Sequence, residues 1–312
     1  MIPVFSGRHV HQAVSPQRAL EAVRDAFVAY ARGEWTMPPK VYVPAYPAGD
    51  FRAMPAVGSG HALLKWVTSF PGNPAHGLPT VTGMVLLSDA TNGIPKAILD
   101  AAAVSALRTG AAAVLAAETL GRSDAATAAV VGAGVNGEAV AATLRARGRD
   151  LALWDVDEQR AQEVAERLGA RAVSREEALA ADVVVTVTPG KETLLGEGAL
   201  RPGQHASLMG ADGPGKQEIA VEELARVRVF CDDWEQASHN GDLVHAVEAR
   251  VLSRADATQL GDVLVGTSRG RVDDDDITVF DSTGLAIQDL AIALAAVERV
   301  GELGDLPQIE LR

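Results

Sequence analysis

The 312-residue sequence predicts an α/β protein in which a doubly wound parallel sheet follows a separate region of helix and antiparallel strand. Three observations predict it. Beyond residue 126, short apolar runs alternate with helical patterns, the signature of parallel strands joined by crossover helices. The first run, Ala126 to Val131, leads directly into Gly132-Ala133-Gly134-Val135-Asn136-Gly137 and then into an alanine-rich helical pattern from Glu138 to Leu144. This glycine turn lies mid-chain, so something sizeable must fold ahead of it.

The elements follow in order. Ser15-Pro16 places a capping hydroxyl before an N1 proline, and Leu20, Val23, Phe27 and Tyr30 recur at helical spacing, so a helix is expected over 16–31. From Thr36 to Thr91 the texture changes to β-prone pieces between Pro and Gly: Lys40 to Val43, Ala62 to Thr68 and Thr80 to Leu87. A long helix is expected over 101–120. After the glycine turn come strand 151–154, helix 158–168, a short strand near 170–173, helix 175–180, and strands 182–187, 205–209, 227–231 and 278–280. An apolar helix over 285–300 closes the chain.

Length and composition bound the function. With 47% hydrophobic residues the chain can bury sizeable cores, and about two domains are expected at ~150 residues each. A formal charge of −13 gives phosphate backbones and anionic membranes no broad reason to bind, so neither nucleic acid nor membrane is an expected partner. The single cysteine, Cys231, excludes an intrachain disulfide framework and a Cys-rich zinc site. The N-terminus does not read as a signal peptide, and a cytoplasmic location is expected. The apolar stretch 97–117 is interrupted by Asp100 and Arg108 and reads as a packed helix.

The glycine turn carries the first chemistry. Its first glycine permits the tight turn, the second lets a pyrophosphate approach the backbone, and the third lets helix and strand pack closely. Unpaired amides at the helix start then face the phosphates. Asp155, ending the next strand, stands where a carboxylate accepts the ribose hydroxyls of NAD and repels the extra phosphate of NADP. The alternative is a glycine turn with an unrelated exposed Asp.

Three charged residues stand in unusual company. Lys65 lies in the otherwise apolar run 62–67, where a buried ammonium would need a partner; an edge-strand lysine reaching solvent reads equally well. Arg108, among small apolar helix residues, could grip a carboxylate or form an ordinary helix ion pair. Asp212 falls in a loop after a strand, where open α/β sheets bind ligands, although Asx turns use the same residue. The seven histidines show no HExxH-type spacing and no GxSxG elbow occurs, which disfavours zinc-enzyme and hydrolase chemistry; no metal ligand is assigned. Asp273 to Asp276 reads as a solvated turn.

Together these pieces resemble the ornithine cyclodeaminase/mu-crystallin family, closest to its alanine dehydrogenase branch. The resemblance rests on Met54-Pro55-Ala56, Lys65, Gly77-Leu78-Pro79-Thr80, Ala106 to Ala112, the GAGxxG turn, Gly210 to Glu218 and Thr278 to Gly284, and it covers nearly the whole chain. It implies a Rossmann-type sheet, residues 119–284, inserted into an α+β substrate-binding and dimerisation domain made of 1–118 and 285–312. It also implies NAD as cofactor, a small amino acid or 2-oxo/imino acid as substrate, and a homodimer.

By resemblance, Asp212 is the catalytic acid/base and Lys65 a catalytic and substrate-contacting residue. Lys40, Arg52, Arg108 and Thr283 complete the substrate contacts. Thr80, Arg108, Gly132, Gly134, Val135, Asn136, Gly137, Asp155, Thr188, Met209, Gly210, Lys216 and Ser282 are the expected cofactor contacts. One departure is informative: ornithine cyclodeaminases carry a glutamate, suited to ornithine's distal amine, two residues before the Met-Pro pair, where this chain has Arg52. A cation there repels that amine and, with Lys40, suits the carboxylate of a small amino or 2-oxo acid; otherwise Arg52 points to solvent. The implied reaction is NAD-dependent oxidative deamination, with ornithine cyclodeamination and ketimine or imine reduction as alternatives, and ligand binding without chemistry as a further one.

Overall fold

The computed structural model describes residues 1–190, 192–213 and 215–311. The chain divides into two compact units, Met1–Arg108 with Leu285–Arg312, and Thr109–Gly284. The division falls inside the helix Ala101–Leu120 rather than at the 118/119 boundary expected from the sequence. The physical reason is visible at Gly110. A Cβ there would lie 2.7 Å from the Ala139 carbonyl, so from this residue onward the helix packs against the helix that follows the glycine turn.

The first unit is built on a sheet of β1 (Ile2–Phe5), β2 (Val41–Ala45), β3 (Gly49–Gly58), β4 (His61–Ser69), β5 (Val81–Asp89) and β6 (Pro95–Asp100), completed by β15 (Gln308–Ile309). Its order is β15-β1-β6-β5-β4-β3-β2; only β1 and β6 pair in parallel. The helices Pro16–Ala31 and Ala286–Val297 pack on each other, and the second of them lies on β3, β4 and β5. Ser15 caps the first as expected, accepting the Arg18 N–H at 3.2 Å, a contact worth about 1 kcal/mol.

Strand β3 is the one long element that the sequence conceals, because Pro55 interrupts it. The strand tolerates the proline for a geometric reason. The Val57 N–H donates to Thr36 on the β2 side, and N–H groups two residues apart point the same way, so the missing Pro55 N–H would face a stretch where β2, paired only with 49–53, has ended.

The second unit carries β7 (Thr127–Val131), β8 (Asp150–Trp154), β9 (Arg171–Ala172), β10 (Val183–Thr186), β11 (His205–Leu208), β12 (Arg228–Cys231), β13 (Ala257–Gln259) and β14 (Thr278–Asp281). All eight are parallel, in the order β13-β12-β14-β11-β10-β7-β8-β9. This is the doubly wound, Rossmann-type sheet that the strand and helix alternation predicts. The inner strands β7, β10, β11 and β14 are buried on both faces, which is why β7 and β10 read as near-continuous apolar runs, while β11 and β14 also bury His205, Ser207, Thr278 and Asp281. The helix Ala101–Leu120 is long and apolar enough to cross a membrane, but its residues are mostly buried inside the protein.

Candidate active site

In the first unit the inward face of the sheet brings several of the expected residues together. Alternation along β3 turns Arg52, Met54 and Ala56 toward the core, and alternation along β4 does the same for Leu63, Lys65 and Val67. Met54, Lys65 and Val85 lie side by side across three strands. Lys65 is 1% exposed, and its ammonium donates to the Asp289 carboxylate at 2.7 Å and to the Ser105 hydroxyl at 3.1 Å. It does not reach solvent, as an edge-strand lysine would. Burial lowers its pKa to about 8, against the pull of Asp289, while Arg108 and Arg52 add to the lowering.

Arg108 stands with its Nε 3.8 Å from the same Asp289 oxygen, and that Nε is buried without a hydrogen-bond partner among the described residues. Arg52 is 8% exposed rather than solvent-facing. Its guanidinium grips Asp50 at 2.6 and 3.4 Å and lies over the Tyr42 ring, 5.3 Å from the centroid. Lys40 is half-buried just before β2, and Thr80 is half-buried just before β5.

The second unit carries the glycine turn, and its three glycines answer to three different neighbours. Gly132 has φ +109°, and a Cβ on it would lie 2.7 Å from the Val187 carbonyl. A Cβ on Gly137 would run into the Gly132 carbonyl. At Gly134 a Cβ would meet nothing within 4 Å. No protein neighbour demands glycine there, and a pyrophosphate laid on the start of the helix Val135–Ala146 does. Val135 is exposed and Asn136 half-buried at that helix start. The residues present therefore fit a dinucleotide.

Asp155 is buried at the end of β8, not loose on the surface. It accepts the Ala133 N–H at 2.6 Å, the Asp157 N–H at 2.9 Å and an Arg160 N–H at 3.0 Å, so it braces the turn from the adjacent strand.

Asp212 forms an ion pair with Lys216 at 2.5 Å, and Lys216 also donates to the Gly210 carbonyl at 3.3 Å. Both side chains are about one-third exposed. Pro214, within the same motif, lies outside the described residues. The loop is anchored by Glu218, which is fully buried. Its carboxylate accepts from the Thr186 hydroxyl (2.7 Å), the Thr188 amide (2.9 Å) and hydroxyl (2.6 Å), and the Gly210 amide (2.9 Å). Thr188 and Gly210, both expected at the cofactor, are thus joined through one residue not singled out as a candidate. Met209 is buried at the end of β11, with its N–H on the Thr186 carbonyl. Ser282 and Thr283 both donate to Asp232, at 3.1 and 3.3 Å, and the Gly284 amide does so at 2.8 Å.

Behind this surface lies a run of buried carboxylates. Asp242 accepts the Glu218 and Ile219 amides at 2.5 and 3.2 Å, and Asp281 accepts the Leu243 amide at 3.1 Å. Burial first, and neighbouring carboxylates second, raise Asp281 well above the usual range and Asp242 to about 8. The folded protein then holds a proton on Asp242 that the unfolded chain releases near pH 4. Raising the pH from about 4 toward 8 should therefore lower the stability of the fold through this group. Asp242→Asn should flatten that part of the profile, seen as urea midpoints at pH 6 and 8 that lie closer together than in the parent chain. Equal spacing in both would mean that Asp242 is ionised when folded.

Asp289, Ser105, Asp50 and Glu218 are functional candidates that the sequence reading passed over. Asp289 had a signal: it is the lone charge in Ala286-Ile287-Gln288-Asp289-Leu290-Ala291-Ile292, a helix otherwise written for the core. Ser105 had none, since a serine among alanines is ordinary.

The ornithine cyclodeaminase/mu-crystallin family model matches residues 4–303. Alanine dehydrogenase of Archaeoglobus fulgidus is 39% identical over 309 residues, covering 95% of this chain and 94% of its own. Among solved structures, an archaeal alanine dehydrogenase dimer with bound NAD is similar with a TM-score of 0.94 at 38% identity, over 100% of this chain and 99% of that one. The Delta(1)-pyrroline-2-carboxylate reductase of Thermococcus litoralis, in complex with NADH and L-proline, gives a TM-score of 0.93 at 25% identity, over 99% of this chain and 100% of that one.

Proposed function

The chain belongs to the ornithine cyclodeaminase/mu-crystallin family and is an NAD-dependent enzyme, and from that premise we propose that it oxidatively deaminates a small L-amino acid, reversibly, to a 2-oxo acid and ammonia. The balance is amino acid, NAD⁺ and water to oxo acid, ammonium, NADH and a proton. Charge supports this reading most. On the inward face of the first unit, among the described residues and within that unit, three cations, Arg52, Lys65 and Arg108, gather about two carboxylates, Asp50 and Asp289. The surplus positive charge is suited to a substrate carboxylate and hostile to a second amine.

Gly134, Val135, Asn136 and Asp155 would hold the pyrophosphate and ribose of NAD, and Thr188, Met209, Gly210 and Ser282 would contact it as well; the bound cofactor would supply the acceptor for the hydride of the substrate α-carbon. Lys65, Arg52, Arg108 and Lys40 bind the substrate carboxylate or polarise the carbonyl. Thr283 contacts the substrate, and Thr80 and Arg108 contact the cofactor. Asp212 takes a proton from the water that adds to the imine carbon and returns one to the departing amine, with Lys216 holding its carboxylate in place at 2.5 Å. The reading is tested by following NADH absorbance with a panel of amino acids while assaying proline and ammonia from ornithine. NADH accumulation with alanine or another small amino acid is expected. Proline without net NADH, or NADH consumption with cyclic imines alone, would replace the reading by cyclodeamination or imine reduction.

A second copy of the chain is the proposed partner. The outward face of β2 to β5 carries Val41, Val43, Leu64, Trp66 and Met84, each more than one-third exposed, beside the stacked rings of Phe51 and Trp66. A continuous apolar face of this kind is costly in water and suits a twofold interface. The similar archaeal alanine dehydrogenase is described as a dimer. Leu64→Glu with Met84→Glu should halve the mass measured by sedimentation equilibrium, and an unchanged mass would place the interface elsewhere.

A further inference from the structure

Resting on the proposed amino-acid deamination, we propose that Asp289 is the positioning residue of the substrate-carboxylate site, holding the Lys65 ammonium protonated and fixed so that its remaining N–H is offered to the substrate. Asp289 Oδ1 is 2.7 Å from Lys65 Nζ and 3.8 Å from Arg108 Nε, so one carboxylate serves two of the expected substrate contacts. The pair is almost wholly dry: the side chains of Lys65 and Asp289 are 2% and 0% exposed.

A charge pair so buried gains little net stability over apolar residues of the same shape, because desolvation offsets the attraction. Here it is the single charged residue of the helix Ala286–Val297, which apart from the neighbouring Gln288 is apolar, and an apolar residue would have been the simpler core choice. The charges therefore serve something besides packing. Lysine has three donors, and among the described residues Lys65 spends two, on Asp289 and Ser105. With a third unspent, the ammonium is anchored and still able to bind.

The two other charged groups beside Lys65 work against its charge. Arg108, on the helix Ala101–Leu120, and Arg52, on β3, are both cationic, and its neighbours in register on β3 and β5 are Met54 and Val85. Ser105 accepts from the ammonium but carries no charge. Among the described residues, Asp289 is the one whose charge opposes burial and the two arginines. Asp289 also lies in the first turn of its helix, where the helix N-terminus favours a negative charge.

The test uses the intact chain and two readouts. Because the sequence contains only five lysines, protein labelled with ¹³Cε-lysine gives a short set of resonances, with Lys65 assigned through Lys65→Met. In Asp289→Asn the Lys65 resonance should titrate about 1 to 3 pH units lower than in the parent chain. The alkaline limb of kcat/KM for the amino-acid substrate should move down with it. An unmoved Lys65 titration in folded Asp289→Asn overturns the proposal, whatever the activity.

Asp289→Glu provides the second variant and covers the case in which the Asn variant does not fold. It keeps the charge and shifts it by one methylene, so the Lys65 titration should stay near that of the parent chain while KM rises. A parent-like KM there overturns the positioning role. If instead Lys65 titrates as expected and no amino acid is turned over, the deamination reading fails while the assignment of Asp289 to Lys65 stands.

Discussion

Asp212→Asn lowers kcat by roughly 10²- to 10⁴-fold, the usual contribution of a positioned acid/base, and leaves NAD affinity unchanged. The expectation follows from how the loop is held. Its shape depends on Glu218, which takes the Gly210 amide and ties it to Thr186 and Thr188, so replacing one exposed carboxylate oxygen by an amide leaves that scaffold intact. What is lost is the group that can accept a proton. Asparagine still fills the space and still accepts from Lys216, but it cannot act as a base between pH 5 and 9. The separation is measured by steady-state kinetics alongside calorimetric titration of NAD into the variant. A variant with parent-like turnover would remove Asp212 from its role and leave the proton transfer to another group.

Arg52→Gln has the second-largest expected effect, and it acts on both stability and binding. It leaves the Asp50 carboxylate buried without its guanidinium, a situation that costs about 3 to 5 kcal/mol. It also removes one of three cations from the proposed carboxylate site. The two effects separate in a double-mutant cycle. Asp50→Asn with Arg52→Gln should recover most of the lost stability, since no unpaired charge remains, whereas KM for the amino acid stays raised because the cation is still missing. Chemical denaturation supplies one half of the cycle and kinetics the other. If KM returns with stability, Arg52 serves the fold alone and the charge argument for a small carboxylate substrate loses its chief support.

Much of the architecture was legible because the local signals and the tertiary environment agree. Ser15-Pro16 caps a helix that runs over Pro16–Ala31 as read, and the run from Ala126 through Gly137 is a strand, turn and helix as read. The parts that were not legible share a cause: their meaning depends on residues far away in sequence. Strand β3 carries an Asp, an Arg and a Pro in ten residues and becomes a strand only because β4 pairs along its whole length. Lys65 read equally well as solvent-reaching until Asp289, 224 positions later, appeared beside it. Arg52 was allowed a solvent-facing position because its partner, Asp50, is two residues away and looks like any polar neighbour. Glu218 and Asp281 lie in segments that carry the family resemblance, but nothing local tells that they are buried together with Asp242, since each is flanked by ordinary loop or strand residues.

Two different pressures of selection act within one short motif. Gly132 and Gly137 are required by the protein's own carbonyls, whereas a Cβ on Gly134 would meet nothing within 4 Å among the described residues. A descendant that abandoned the dinucleotide but still had to fold would keep the outer two and let the middle one drift. The GAGxxG pattern is therefore a record of two histories written six residues wide, and its central glycine alone reports whether the cofactor is still in use.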